Sequence, residues 1–247
     1  MFEDRLGMFL MLILYGFLSV DVIGAILGIL AHSDEIPLWG LIVASRLTNL
    51  TFLGLIVWFT ATRLPARGTA QGITPRVAAV AGTFLMMTII LVPFAEIGPV
   101  QRIVSTVLTV TGTVLSIICI FRLGRSFSIA PTARALVTRG PYGIVRHPLY
   151  AAELVTILGS VLSVGSVEAF MMGVLWFSLQ ILRARYEEKV LSATFPEYHD
   201  YARRVPMIVP GLKLFVLTRP LRAEVKPEAV AAKSGWNDMP EKPRFAA

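Results

Sequence analysis

The sequence predicts an all-α polytopic membrane protein: about six transmembrane helices, with a cytoplasmic loop and a C-terminal helix outside the bilayer. Three observations carry this. Of the 247 residues, 55% are hydrophobic and only 16% charged, against about 25% charged in soluble domains. The apolar residues gather into runs near the roughly 20 residues needed to cross about 30 Å of hydrocarbon. The basic residues fall almost entirely between alternate runs. Such a chain is neither a disordered charged protein nor an ordinary soluble enzyme. Its single cysteine, Cys119, excludes an intramolecular disulfide framework.

The first four predicted spans are Met8–Leu30, Leu38–Thr60, Val77–Pro93 and Ile103–Phe121. Two shorter runs, Leu149–Val164 and Val167–Leu182, are separated by Ser163-Val164-Gly165-Ser166 and read as a tight helical hairpin. The first run is too long for a secretory leader, and Glu3 and Asp4 contradict a basic leader segment. Residues 1–218 are expected to form a single integral-membrane domain.

The net charge of +7 suggests nucleic acid until its distribution is considered. All but two of the 23 basic residues lie at Arg5, in Arg63–Arg76, in Arg122–Arg146 or from Arg183 onward; the exceptions are Arg46 and Arg102. With six spans these four regions share one side, which the positive-inside rule makes cytoplasmic. Both termini are then cytoplasmic, and the partner of the charge is the lipid bilayer rather than nucleic acid. Residues 219–247 carry ten charged residues and four prolines, a composition that cannot bury enough apolar surface to order itself. They are expected to form a flexible cytoplasmic tail.

Asp21 and Arg46 fall near the middle of the first two runs. A charge at that depth is costly and normally faces the bundle interior. Two readings follow: a buried Asp21–Arg46 pair that fixes helix packing, or a substrate contact or ion path. Asn49, three residues beyond Arg46, serves either. Glu153 and Glu168 flank the hairpin. Glu153 starts its helix, where a carboxylate suits the helix dipole. Gly24, Gly28, Gly54, Gly82, Gly112 and Ser116 read as helix-packing positions.

The chemistry-bearing residues lie outside the spans. Arg122–Tyr150 (RLGRSFSIAPTARALVTRGPYGIVRHPLY) is too polar for a span and too rich in Gly, Pro and Arg for one long helix. It offers backbone N–H groups, guanidinium ions, an imidazole and two phenols. These are the parts needed to hold a polar, partly aromatic ligand, on the kind of loop where binding groups tend to reside. Beyond the last run, Arg183-Ala-Arg185-Tyr-Glu187-Glu188 places Arg183 with Glu187 and Arg185 with Glu188 on shared helix faces. On the residues alone, surface ion pairs are the favoured reading. Phe195-Pro-Glu-Tyr198-His-Asp-Tyr201 follows as a short helix, with Pro196 suited to its first turn, the two tyrosines on one face and Pro206 ending it. His199, between acids, reads as solvated.

Three scattered histidines and one cysteine give no metal-ligand spacing. No Gly-rich phosphate loop and no Gly-x-Ser-x-Gly elbow is present.

The ordered set Leu136-Val-Thr-Arg-Gly140-Pro-Tyr142-Gly-Ile-Val-Arg146-His147-Pro148-Leu-Tyr150, Arg183-x-x-x-Glu187-Glu188-x-x-Leu191 and Phe195…Tyr198-x-x-Tyr201…Arg204-Val-Pro206 resembles the isoprenylcysteine carboxyl methyltransferase family. That family is related to the phospholipid N-methyltransferases. The resemblance covers roughly residues 120–212; the first four runs give only a generic membrane signal. It implies a methyltransferase that binds S-adenosyl-L-methionine at the cytoplasmic face, with S-adenosylhomocysteine as product. By motif position the cofactor-binding residues are Arg134, Ala135, Leu136, Val137, Tyr142, His147, Pro148, Tyr150, Glu187 and Glu188. Arg183 and Glu187 are the implied catalytic pair, with Arg183 meeting a lipophilic or amphiphilic methyl acceptor; Arg46, by its depth in the second run, is the other expected acceptor contact. The Glu187-Glu188 pair is shorter than the acidic run of the eukaryotic prenyl-protein enzymes, and the N-terminal runs do not match theirs. The acceptor therefore extends beyond an isoprenylcysteine carboxylate to lipid amines and small thiols.

The residues suit that chemistry independently. Methyl transfer from a sulfonium disperses positive charge, so alignment, a dry pocket and carboxylate or aromatic faces matter more than a strong acid or base. Tyr142 and Tyr150 supply cation–π faces, and Arg183 is a planar donor for a carboxylate or phosphate. Two other readings compete. A sterol-reductase-like NADPH enzyme shares an Arg-His-x-x-Tyr loop, and a small transporter or sensor would be built around Asp21 and Arg46.

Overall fold

The computed structural model describes residues 2–210 and 225–227. It is 74% helical. The helices are α1 (Phe2–Ala31), α2 (Trp39–Ala61), α3 (Ile73–Phe84), α4 (Pro99–Leu123), α5 (Pro148–Val164), α6 (Val167–Thr194) and α7 (Tyr198–Arg204). Three short strands, β1 (Gly68–Ala70), β2 (Thr132–Ala133) and β3 (Val225–Pro227), pair antiparallel in the order β2-β1-β3. The expected tail at 219–247 lies outside the described residues except for β3, which pairs with β1.

Five helical stretches are long and apolar enough to cross a membrane: Gly7–Ala31, Trp39–Ala61, Ile73–Leu91, Pro99–Ser126 and Val167–Thr194. Their outer faces carry exposed Phe9, Phe17, Val20, Phe170, Met171 and Val174, the sign of helices whose solvent is lipid. The chain is a multi-pass membrane protein. The expected sixth run, Leu149–Val164, forms α5, shorter than the other five at 17 residues, about 26 Å at 1.5 Å per residue; its far end meets the segment before α4, where the Ala95 N–H donates to the Val164 carbonyl at 2.9 Å. The third run also departs from a plain helix. It begins at Ile73, and from Leu85 to Leu91 it tightens into a 3-10 helix.

The hairpin forms as the sequence predicts. Gly165 ends α5 in the left-handed conformation (φ 72°, ψ 3°), and its N–H donates to the Val161 carbonyl at 2.9 Å. A residue with a Cβ is strained there. Ser166 then caps α6, its hydroxyl accepting from the Ala169 N–H at 3.3 Å.

The tightest helix contact is between α4 and α5. A Cβ on Gly159 would stand 2.6 Å from the Ser105 carbonyl, and one on Gly112 would stand 2.9 Å from that of Ala152. Gly112 therefore acts at the packing interface as expected, Ser116 is buried, and Gly82 faces Gln180 and Arg183. Gly24, Gly28 and Gly54 do not; a Cβ on any of them meets open space.

Two buried clusters result. One joins Tyr15, Val22 and Ile26 of α1 to Leu53, Ile56 and Phe59 of α2 and Cys119 and Ile120 of α4. The other joins Ala70, Ala133, Val190, Phe195, Tyr198 and Tyr201 beyond the bundle end. The segment after α4 lies between them.

Candidate functional site

Local chemistry places each side chain. Pro148 starts α5 without a backbone donor to waste, so His147 stands at the N-terminal end of the helix and Tyr150 one turn along. The His147 and Tyr150 rings stack, with centroids 5.4 Å apart and planes within 2°. The loop is clamped from outside: Arg146 N–H donates to the Pro206 carbonyl (2.8 Å) and His147 N–H to that of Met207 (2.9 Å). The Arg146 guanidinium donates through Nη1 to the carbonyls of Ala202 (2.7 Å) and Val205 (2.8 Å). That ties the carbonyl end of α7 to the loop.

The end of α6 supplies the acids. Arg146 Nε lies 2.7 Å from Glu188 Oε1, and His147 Nε2 lies 3.2 Å from the same oxygen. Glu187 accepts from the Tyr150 hydroxyl, with His147 Nδ1 at 3.9 Å and Arg183 Nε at 3.8 Å. The Arg183–Glu187 pair thus forms on the expected helix face. Glu188 turns to Arg146 and His147 across the hairpin. Arg183, only 5% exposed, packs over the Tyr150 ring at 5.0 Å and donates to Gln180 Oε1 and the Ile129 carbonyl, both at 3.1 Å.

The phenols are held neutral. Burial pushes Tyr142 and Tyr198 well above the ordinary phenol value, and Tyr201 is pushed up to about 12, chiefly by burial. They act as aromatic faces and hydroxyl donors. The Tyr201 hydroxyl donates to the Tyr142 carbonyl at 2.6 Å, and Tyr198 and Tyr201 pack edge to face at 5.8 Å.

These residues line a cavity of about 370 Å³, within the roughly 300–1,000 Å³ of small-molecule sites. Arg134, Ala135, Leu136, Val137, Tyr142, His147, Tyr150, Arg183 and Glu187 all line it. Pro148 is buried beside them at the start of α5, and Glu188 stands behind His147. The Arg134 side chain is buried, with its guanidinium donating to the Leu64 carbonyl. Ser116 and Thr132 are among the lining residues, and their buried hydroxyl oxygens have no hydrogen-bond partner.

Arg46 is not brought to this site. It and Asp21 are both exposed, and no ion pair joins them. The buried stripe of α1 is Tyr15, Val22 and Ile26, and Asp21 stands about 100° off it. Every buried residue of α2 lies at or after Leu53, two turns beyond Arg46, so that part of the helix is uncovered. Asn49, about 60° round from Arg46 and one turn closer, does reach the cavity.

One acidic cavity residue was not among the expected site residues. Glu153, accounted for in the sequence by the helix dipole, lines the cavity and accepts from Gln180 Nε2 at 2.8 Å. Its partner stands 27 positions away across the hairpin, so no local spacing reveals the pair. Among the described residues no group of three or more His, Cys, Asp or Glu is placed to hold a metal ion.

Residues 100–198 match the phospholipid methyltransferase family. The matched segment spans 99 of the chain's 247 residues. It contains the α4–α5 packing, the His147 loop and the acidic end of α6. The chain is 34% identical over 108 residues to protein-S-isoprenylcysteine O-methyltransferase B of Arabidopsis thaliana, covering 41% of this chain and 55% of that protein. It is 43% identical over 81 residues to the nickel-cobalt-cadmium resistance protein NccN of Alcaligenes xylosoxydans xylosoxydans. It is 41% identical over 81 residues to the cobalt-zinc-cadmium resistance protein CzcN of Cupriavidus metallidurans. Each of these two matches covers 32% of this chain and 38% of the relative. The membrane methyltransferase resemblance read from the loop and α6 motifs therefore holds, over part of each relative's length.

Proposed function

We propose that this protein is an integral-membrane methyltransferase that moves a methyl group from S-adenosyl-L-methionine to a lipophilic or amphiphilic acceptor. The reaction takes place at the cytoplasmic face, where both termini lie. One observation carries the reading: Glu187 and Glu188 are fixed by Tyr150, His147, Arg146 and Arg183 around a cavity that continues among the membrane helices. A dicarboxylate beside stacked aromatic rings suits a ligand with an ammonium and a sulfonium, and the unpartnered Ser116 and Thr132 hydroxyls suit a nucleoside. The matched family and the α6 motif support the same donor.

In this reading Glu187 receives the cofactor's ammonium group, and Tyr142, His147 and Tyr150 give aromatic faces to its cation. The backbone of Arg134–Val137 and buried Pro148 shape the remaining wall. Glu188 acts through His147, which it holds by the ring nitrogen. Arg183 sets the position of Glu187 and Gln180 and stands on the acceptor side. The bound cofactor supplies an electrophilic methyl group; the protein supplies alignment and exclusion of water. Arg46 takes no part, because it is exposed and away from the cavity.

Purified protein in detergent is expected to bind S-adenosylhomocysteine, measured by isothermal titration. Glu187→Gln and His147→Ala are each expected to weaken binding at least about tenfold, or about 1.4 kcal/mol. Full binding by both variants contradicts the site assignment.

A further inference from the structure

The cavity has a second polar centre that the cofactor reading leaves unused. Glu153 lies three residues beyond Tyr150 on α5, one turn farther from the loop. Its Oε2 accepts from Gln180 at 2.8 Å, and Oε1 has no hydrogen-bond partner among the described residues. Gln180 is buried and is itself held by Arg183, whose Nη1 donates to Gln180 Oε1 at 3.1 Å. A chain of contacts, Glu187–Arg183–Gln180–Glu153, therefore links the cofactor-side carboxylate to a second one deeper in the bundle. The helices that line the same cavity contribute many apolar side chains, among them Leu53, Ile56, Met86, Ile157 and Trp176, together with Tyr15.

We propose that Glu153 is the acceptor-side catalytic residue, and that it selects acceptors whose reacting atom bears a proton, an N–H or S–H on an apolar tail, over carboxylates. The proposal rests on the methyltransferase reading above and narrows its acceptor class. The free oxygen of Glu153 is a hydrogen-bond acceptor facing the cavity. A carboxylate acceptor would meet it as a like charge, which costs affinity. The guanidinium groups along the cavity are already turned to protein acceptors: Arg183 to Gln180, Ile129 and Glu187, Arg146 to Glu188, Ala202 and Val205, and Arg134 to Leu64.

The step balances with the sulfonium methyl donor. The acceptor's nitrogen or sulfur lone pair forms the new bond to the methyl carbon as the methyl–sulfur bond breaks. That bond's electron pair stays on the donor sulfur, which becomes a neutral thioether. The acceptor's proton passes to Glu153 Oε1 and leaves with product release. Gln180 is a positioning residue; it fixes Oε2 so that Oε1 faces the acceptor.

The test uses the full chain in detergent with labelled S-adenosyl-L-methionine and three probes of equal tail length: decanethiol, decylamine and decanoate. Direct binding of each probe is read by titration in the absence of donor. Binding and methylation of the thiol or the amine, with decanoate the poorest of the three, are expected; which of the two is turned over identifies the acceptor atom. Glu153→Gln is expected to lower kcat at least about a hundredfold, the scale of one positioned proton acceptor, while S-adenosylhomocysteine affinity stays within about twofold. Glu153→Asp is expected to retain part of the rate. Preference for decanoate, an unchanged kcat in Glu153→Gln, or no binding of thiol and amine by protein that binds S-adenosylhomocysteine overturns the proposal. A parallel loss of S-adenosylhomocysteine affinity in Glu153→Gln also overturns it, by showing a merely structural role. Wild-type protein that does not bind S-adenosylhomocysteine overturns the methyltransferase reading itself, an outcome distinct from all of these.

Discussion

The α1–α2 hairpin and the α5–α6 hairpin both carry charges inside apolar helices, and they treat them in opposite ways. Asp21 and Arg46 stand exposed on the first pair and do not meet. On the second pair Glu153, Arg183, Glu187 and Glu188 are drawn to Gln180, Tyr150, His147 and Arg146. The difference follows from what covers each hairpin. α1 and α2 bury mainly one stripe each, against one another and α4. The end of α6 is enclosed by the loop before α5, by α7 and by the short strands, so its charged groups lose water and must find partners. A charge in a membrane helix acquires a defined role only where a second segment closes over it.

Substitutions can break this contrast at graded strengths. The largest effect is expected from Arg146→Ala, which removes the Glu188 ion pair and both carbonyl contacts to the end of α7. Breaking a largely enclosed pair of this kind costs on the order of 3 kcal/mol. Thermal unfolding in detergent reads the loss. Gly159→Val is expected to cost about 1–3 kcal/mol by the same assay, because its side chain would be forced into the Ser105–Thr109 backbone. Tyr201→Phe leaves the Tyr142 carbonyl without its donor and is expected to cost about 1 kcal/mol. Neither change touches the acids, so S-adenosylhomocysteine affinity should fall much less than in Glu187→Gln. Asp21→Asn and Arg46→Gln are expected to leave both stability and affinity within about twofold. A large effect from either would show that the first hairpin encloses its charges after all.

Much of this was legible in the amino-acid order. The apolar runs mark α1, α2, α4 and α6 closely, because a membrane helix is written as one long stretch of a single kind. The Gly165–Ser166 turn is marked by residues that only such a turn favours. The loop and α6 motifs mark the polar end of the cavity wall. What escaped has physical reasons. The strands at 68–70, 132–133 and 225–227 are too short to show alternation. The 3-10 stretch at Leu85–Leu91 has the same apolar composition as an α-helix. α5 reads as a span by composition, but at 17 residues it is shorter than the five long helices. Asp21 and Arg46 attract attention by depth, yet depth does not say which way a side chain faces. Glu153 is the converse, unremarkable by position and placed by a partner on the other arm of its hairpin.

The central claim is that the enclosed acids at the end of α6, and not the charges of the first hairpin, form the cofactor site. Isothermal titration of S-adenosylhomocysteine into wild-type protein, Glu187→Gln and the Asp21→Asn/Arg46→Gln double variant tests it directly. The expected result is binding by wild type, at least about tenfold weaker binding by Glu187→Gln, and wild-type affinity in the double variant. Equal affinity in wild type and Glu187→Gln, or loss in the double variant alone, would contradict it.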